Sequence, residues 1–151
     1  MSDRLVRLIA TFFYIGQIPV APGSLATAAA VWLAFLLQPS IALYLLVLAV
    51  VTVLGFMVSG RMEELEKQKD PSCVVIDEVA GCLIAFFLLP LSTPVVGTTF
   101  FLFRAFDMFK IYPVNRFEER PAAQGIMLDD IVAGIYTNLT MQVAIRLAGM
   151  V

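Results

Sequence analysis

The charged residues of this 151-residue chain fall in short blocks, and the long stretches between the blocks are apolar. Residues 8–60 contain no Asp, Glu, Lys or Arg. Within them, the mainly apolar residues 41–58 are numerous enough to cross a bilayer, for which a helix needs roughly 17–25 residues. Hydrophobic residue types make up 60% of the chain, against about half in a soluble domain. These features predict a membrane protein, and a fully buried soluble helical bundle is the alternative.

The spacing of the charged blocks predicts two helical hairpins. The hairpins pair residues 24–37 with 41–58 and residues 79–90 with 95–106. Because the turns at 38–40 and 91–94 are uncharged, all three charged blocks (1–23, 59–78 and 104–130) would lie at one end of the bundle. An excess of Lys and Arg marks the cytoplasmic side of a membrane protein. We therefore expect an all-α, small polytopic membrane helical bundle, one domain over residues 1–151, in the inner (cytoplasmic) membrane.

Three features of the composition exclude whole classes of chemistry. The chain has no histidine, which removes Ser-His-Asp, Cys-His and His-ligated zinc mechanisms. Its two cysteines are too few for a disulfide framework or an all-cysteine zinc site. The net charge of -2 argues against nucleic acid as a partner. The oligomeric state stays open.

Two acidic pairs are the strongest candidates for a functional site. Asp77-Glu78 and Asp129-Asp130 each precede an apolar run, so each pair is predicted to begin a helix, where carboxylates also serve as simple capping groups. Gly81 and Gly134 follow four residues after Asp77 and Asp130, on the same helical faces, and would let the two helices approach closely. Carboxylates gathered at one point repel each other unless a cation lies between them. An all-oxygen ligand set favours Mg²⁺.

Basic residues and glycine turns supply candidate phosphate ligands. Arg104, Asp107 and Lys110 recur every third residue and would share one side of a helix. This face could bind phosphate through its basic groups while Asp107 joins the acidic cluster, or it could simply form an intrahelical salt bridge. Ser24 and Gly125 lie in short glycine-containing segments that could present backbone N–H groups to an anion, or could merely be a helix cap and a turn.

The order of these segments resembles the phosphatidylglycerophosphatase A family over about residues 15–140. The matching motifs are Pro22-Gly23-Ser24, Asp70-Pro71-Ser72, Val75-Ile76-Asp77-Glu78, Phe103-Arg104-x-Phe106-Asp107-x-x-Lys110 and Gly125-Ile126-Met127-x-Asp129-Asp130. The resemblance implies a small helical, Mg²⁺-dependent enzyme that hydrolyses phosphatidylglycerophosphate to phosphatidylglycerol and phosphate at the cytoplasmic membrane. It implies catalytic roles for Asp77, Glu78, Asp107, Asp129 and Asp130, with Arg104 and Lys110 as basic partners.

The sequence departs from the family pattern at three places. Ile111 stands where a proline usually follows the motif lysine, and Ala122-Ala123-Gln124 replace glycines before Gly125. Ala26 stands in place of a glycine in the early segment, which is expected to be a loop near the phosphate. The alternatives are therefore a diverged member of low activity, another metal-dependent enzyme of lipid head groups, or a non-enzymatic protein that binds or transports divalent cations. The nucleophile, a metal-bound water or an aspartate, also stays open, although the chain lacks a D-x-D-x-[T/V] motif.

Overall fold

The fold is all-helical in the part of the chain that the structure, a computed structural model, describes: residues 1–109 and 123–149. This confirms the predicted fold class. The helices are α1 (Asp3–Ala10), α2 (Pro22–Leu37), α3 (Ile41–Glu66), α4 (Ile76–Phe86), α5 (Thr93–Phe109) and α6 (Ala123–Leu147), with a short 3₁₀ helix at Ile15–Gln17.

Helices α2 and α3 form the first predicted hairpin. The turn lies at residues 38–40, and the Ser40 hydroxyl accepts a hydrogen bond from the Leu43 N–H at 3.3 Å, which caps the start of α3. Helix α3 has 26 residues and is the one helix in the described ranges that is long and apolar enough to cross a membrane. The second hairpin is also present, but α4 ends at Phe86 and α5 begins at Thr93, so their connection is longer than the predicted turn.

Helix α4 is short, and side chains from its neighbours satisfy the carbonyl groups at its end. Eleven residues rise only about 17 Å, roughly half the thickness of a bilayer core. The Tyr44 hydroxyl donates a hydrogen bond to the Leu83 carbonyl at 2.6 Å. The Asn138 amide donates to the carbonyls of Ala85 at 3.1 Å and Phe87 at 2.7 Å. The helix can therefore end among apolar side chains without leaving these carbonyls unpaired.

Helices α4 and α6 cross at two glycines, as their spacing from the acidic pairs predicts. A methyl group placed on Gly134 would lie 3.0 Å from the carbonyl carbon of Gly81, and closer still to its oxygen. A methyl group on Gly81 would lie 2.8 Å from the carbonyl carbon of Asp130. Only glycine permits this approach, which brings the two acidic pairs together.

Replacing Gly134 by alanine should therefore destabilise the bundle. The added methyl group must push the α4 backbone away, and overpacking of this kind costs about 1–3 kcal/mol. Gly97→Ala is the matched control, since a methyl group at Gly97 of α5 meets no atom within 4 Å. In thermal unfolding experiments in detergent, Gly134→Ala should have a lower melting temperature than wild type. Gly97→Ala should show no such decrease. Equal melting temperatures for the two variants would contradict the close crossing.

The antiparallel hairpins bring the described parts of the charged blocks to one end of the molecule. Arg61 at the end of α3 lies 3.6 Å from Asp3 of α1, and Arg104 of α5 lies 3.4 Å from Glu78 of α4. The starts of α2 and α4 and the end of α5 meet at this same end. The sequence thus placed the polar end of the bundle correctly.

Candidate active site

A polar pocket of about 460 Å³ lies where the charged ends of the helices meet. It draws side chains from the starts of α2 and α4, the end of α5, the segment before α4, and α6. Its lining is Ala21, Pro22, Gly23, Ser24, Asp70, Ser72, Val74, Asp77, Glu78, Arg104, Asp107, Met108, Asp129 and Asp130. Seven of the nine site residues predicted from the sequence are in this lining.

The first turn of α2 borders the pocket. The segment Pro22-Gly23-Ser24 was expected to form a turn before the helix, but the helix begins at Pro22 and its N-cap residue is Ala21. The first bond within the helix runs from the Leu25 N–H to the Ala21 carbonyl at 3.1 Å, so the N–H groups of Gly23 and Ser24 precede the regular bonding pattern. A helix start with such donors favours binding of an anion.

Gly23 packs directly against the carboxylate of Glu78. A methyl group placed on Gly23 would lie 2.8 Å from the Glu78 carboxyl carbon. Gly23→Ala should therefore displace the Glu78 carboxylate and lower turnover about tenfold or more while leaving the helix intact, because alanine is the better helix former. Steady-state phosphate release and melting temperature measure the two effects. Ala28→Gly, at an exposed position of α2, is the control for a change in helix propensity alone. If Gly23→Ala kept the turnover of wild type, the position of the Glu78 carboxylate would not be important for catalysis.

Asp77 and Glu78 lie in the first turn of α4, as predicted. Asp77 is only 8% exposed. The Oδ1 atom of Asp77 and the Oε2 atom of Glu78 are buried and accept no hydrogen bond from residues 1–109 and 123–149. Buried carboxylate oxygens without a partner carry a large desolvation cost, so this site calls for a ligand that the described residues do not supply.

Asp129 and Asp130 also line the pocket, but they do not begin their helix. Helix α6 starts at Ala123, six residues before Asp129, so the predicted helix start at this pair is wrong. The Asp130 Oδ1 atom is buried without a hydrogen-bond partner, and Asp130 is 3% exposed. Because the pair lies inside α6, its carboxylates reach the pocket from the side of the helix. Capping of the helix start does not explain them.

Burial raises the pKa values of three acidic residues in the pocket. Burial, followed by repulsion from Glu78 and Asp129, raises the pKa of Asp77 well above its ordinary range. Burial raises the pKa of Glu78 to about 8 although the neighbouring Arg104 opposes the shift. Burial, followed by repulsion from Asp107, also raises the pKa of Asp130. These residues precede the apolar runs that begin at Val79 and Ile131. A cation in the pocket would favour the ionised form of all of them.

Arg104 is the basic residue in the described lining of the pocket, and two carboxylates contact its guanidinium group. Its Nη1 atom donates a hydrogen bond to Asp107 Oδ2 at 2.7 Å and lies 3.4 Å from Glu78 Oε1. The Arg104 side chain is only 18% exposed. The intrahelical salt bridge considered for Arg104 and Asp107 is therefore present, and an additional contact reaches across to α4.

The acidic cluster has the donor chemistry for a hard divalent cation. Three carboxylate oxygens, from Asp77, Glu78 and Asp130, are buried and without a partner, and oxygen is the ligand atom that Mg²⁺ prefers. Within residues 1–109 and 123–149, no three acidic or cysteine side chains stand close enough to one point to hold an ion in the observed rotamers. The residues therefore fit a cation chemically, and binding would require small side-chain rearrangements.

Two predicted site residues, Lys110 and Gly125, do not appear in the described pocket lining, and the three departures from the family pattern can be followed only in part. Lys110 and Ile111, with Ala122, fall outside the described residues. Gly125 is buried in the first turn of α6, not in a turn before it, and does not appear in the described pocket lining. Ala26 was expected in a loop near the phosphate. It is instead fully buried inside α2, where alanine suits a helix.

Sequence reasoning missed Asp70 and Ser72, which line the pocket beside α4. Asp70 has a left-handed backbone conformation with φ of 49°, and its N–H donates to Glu63 Oε1 at 3.0 Å. This turn brings the chain from the end of α3 back to the start of α4. The Asp70-Pro71-Ser72 motif was visible in the sequence, and its position only five to seven residues before Asp77 was the signal that could have identified it.

A family model described as phosphatidylglycerophosphatase A matches residues 8–145. The chain belongs to this family. Two phosphatidylglycerophosphatase A proteins are similar along most of their length. The Haemophilus influenzae protein is 31% identical, covering 90% of this chain and 86% of its own, and the Escherichia coli protein is 32% identical, covering 85% and 77%.

A third relative carries a different substrate in its name. A Bacteroides thetaiotaomicron protein named as a phosphatidylinositol-3-phosphatase is 34% identical over 91% of each chain. No solved structure matches the chain. Membership of the phosphatidylglycerophosphatase A family makes this protein a phosphatase that acts on a phosphate monoester. With the long apolar helix α3, it also indicates a membrane protein.

Proposed function

We propose that this protein hydrolyses phosphatidylglycerophosphate to phosphatidylglycerol and phosphate, with Mg²⁺ as cofactor, in phospholipid biosynthesis. The observation that carries this proposal is the polar pocket at one end of an apolar helical bundle. The pocket combines buried, unpartnered carboxylates with an arginine and a helix start, in a chain of this family. A membrane lipid whose head group ends in a phosphomonoester matches both the pocket and its location.

The carboxylates of Asp77, Glu78, Asp129 and Asp130 would hold the cation. When bound, Mg²⁺ would neutralise the phosphate oxygens and stabilise the leaving glycerol oxygen. The charges make this cofactor necessary for binding too. A phosphomonoester carries about -1.5 to -2 charges, and a pocket of carboxylates alone would repel it.

Arg104 and the start of α2 would bind and orient the phosphate. Arginine can donate two parallel hydrogen bonds to a phosphate group, which fixes its orientation. The N–H groups of Gly23 and Ser24 are positioned in the same pocket for a third contact. Lys110 is proposed as a further positive charge for the head group. We propose that water attacks phosphorus while a carboxylate of the cluster accepts its proton, that the bond from phosphorus to the glycerol oxygen breaks, and that the same carboxyl group then gives the proton to the leaving glycerol oxygen.

The bundle would lie in the inner membrane with this pocket at the cytoplasmic surface. Nine of the ten Lys and Arg residues belong to the three charged blocks that the sequence predicts at one end of the bundle, and the positive-inside rule assigns such an end to the cytoplasm. The short helix α4 would then reach only part of the way across, and α2, α3, α5 and α6 would surround it in a polytopic arrangement. Acyl chains could stay in the bilayer while only the head group enters the pocket.

Phosphatidylinositol 3-phosphate is a second candidate substrate because one relative is named for it. Both lipids present a phosphomonoester at the membrane surface, so the described pocket serves either. A cation transporter is less consistent with the site, because the acidic residues of the described pocket gather at one end of the helices, which suits an interfacial site better than a path across the bundle.

The test measures phosphate release by the purified protein in detergent micelles. Phosphatidylglycerophosphate, phosphatidylinositol 3-phosphate and soluble glycerol 3-phosphate are supplied separately, with Mg²⁺ and without nucleotide. We expect the highest kcat/KM for phosphatidylglycerophosphate. Preference for the inositol lipid would replace the proposed substrate, and a nucleotide requirement would indicate a transferase. Absence of release from every substrate, with cation uptake into vesicles, would favour a transporter.

A further inference from the structure

The position of Arg104 suggests a role beyond binding phosphate. Its guanidinium lies inside the acidic cluster, 2.7 Å from Asp107 Oδ2 and 3.4 Å from Glu78 Oε1. The side chains of all three residues are mostly buried, with 18%, 18% and 15% of their surfaces exposed. Arg104 therefore contacts Glu78, one of the four proposed cation ligands, and is held beside it by Asp107.

In this arrangement, three carboxylates of the cluster keep a buried oxygen that has no hydrogen-bond partner among the described residues. Glu78 turns one oxygen toward Arg104, while its other oxygen is buried and has no partner. Asp77 and Asp130 likewise keep one buried oxygen without a partner. The described residues do not form a group of three ligands around one point. An arginine held among the carboxylates gives a direct physical reason for that geometry.

We infer that Arg104 competes with the cation for Glu78, and that cation binding releases Arg104 from Glu78 and Asp107 so that it can bind the substrate phosphate. This inference rests on the proposed function. Arginine stays protonated in proteins, so it cannot leave the cluster by losing its charge. Its planar group binds carboxylate and phosphate with the same geometry, which makes the exchange chemically conservative. Cation and guanidinium repel each other across a shared carboxylate, whereas the incoming phosphate attracts both.

The exchange has a thermodynamic consequence that a fixed structural ion pair lacks. If cation binding frees Arg104, then cation and phosphate must each increase the affinity for the other by the same factor. Arg104 would lower the affinity of the empty protein for the cation and raise the affinity of the cation complex for phosphate. Its removal should therefore change the two affinities in opposite directions.

The decisive experiment measures the dissociation constant of Mn²⁺, used as a probe for Mg²⁺, by isothermal titration of the full-length protein in detergent. Arg104→Gln should bind Mn²⁺ about tenfold more tightly than wild type, since a like charge within a few ångströms is removed. Arg104→Lys keeps the charge and should stay near wild type. Arg61→Gln is the matched control, because Arg61 also pairs with two carboxylates at this end of the molecule but lies outside the pocket. It should change the dissociation constant less than twofold.

The second measurement titrates inorganic phosphate into the Mn²⁺-loaded proteins. Arg104→Gln should bind phosphate at least about tenfold more weakly, and Mn²⁺ should enhance phosphate binding less than in wild type. Unchanged or weaker Mn²⁺ binding by Arg104→Gln would overturn the inference, as would an equal gain in Arg61→Gln. Failure of wild type to bind any divalent cation would overturn it as well. An error in the proposed substrate would be recognised separately. The protein would then bind Mn²⁺ and inorganic phosphate as expected but would release no phosphate from phosphatidylglycerophosphate.

Discussion

Replacing Asp130 by asparagine should reduce phosphate release from phosphatidylglycerophosphate by on the order of 10²–10³, the usual cost of losing one preorganised electrostatic group from an active site. Asp130 is 3% exposed, lines the pocket, and keeps one buried oxygen without a hydrogen-bond partner. The amide has nearly the same shape but no negative charge, so the variant should fold while binding the cation weakly. Asp129→Asn should have a similar effect.

The stability of Asp130→Asn should change in the opposite direction from its activity. Without a divalent cation, the buried Asp130 carboxylate is desolvated and repelled by neighbouring carboxylates, and a neutral amide removes both costs. The melting temperature in EDTA should therefore equal or exceed that of wild type, whereas added Mg²⁺ should stabilise only wild type. Glu64→Gln, at an exposed residue paired with Arg61 outside the pocket, is the control and should leave both quantities unchanged. Wild-type turnover by Asp130→Asn would remove this residue from the mechanism.

Removal of divalent cations should abolish turnover of the wild-type enzyme. Six carboxyl groups line the pocket and, once ionised, repel the lipid phosphate, so neither substrate binding nor departure of the glycerol oxygen is favourable without an opposing charge. Excess EDTA should lower phosphate release to the background rate, and Mg²⁺ in excess of the chelator should restore it. Mn²⁺ should substitute because it accepts oxygen ligands in a similar geometry.

A stability measurement separates loss of the cofactor from loss of the fold. A ligand that binds only the folded protein raises its stability by about 2.7 kcal/mol at a concentration a hundred times its dissociation constant. The melting temperature of the wild-type protein should therefore rise with Mg²⁺, and EDTA-treated protein should remain folded at the assay temperature. Full activity in EDTA would show that the acidic cluster works without a metal ion.

Much of this arrangement follows from short-range patterns in the sequence. Uncharged residues 8–60 and the clustering of charges predict the hairpins and the polar end of the bundle, because a helix that enters an apolar environment excludes charge over its length. The four-residue spacing of Gly81 and Gly134 from the acidic pairs predicts the helix crossing, because helical periodicity is local and fixed. These predictions need no knowledge of neighbouring elements.

Other features depended on contacts between distant segments. Helix α6 begins before the acidic pair Asp129-Asp130, since local propensity sets helix boundaries only loosely. Asp70 reaches the pocket through a turn whose position is set by the ends of α3 and α4. The contact from Arg104 to Glu78 joins residues 26 positions apart.

The order of amino acids is enough to predict which residue types are available: carboxylates without histidine, apolar helices of fixed period, and glycines at the spacing that allows a close crossing. The packing of the helices is needed to show which carboxylate oxygens have no partner among the described residues and that Arg104 lies among them. Hydrogen-bond partners and burial are set by side chains that arrive from other helices, and a one-dimensional pattern does not contain their distances.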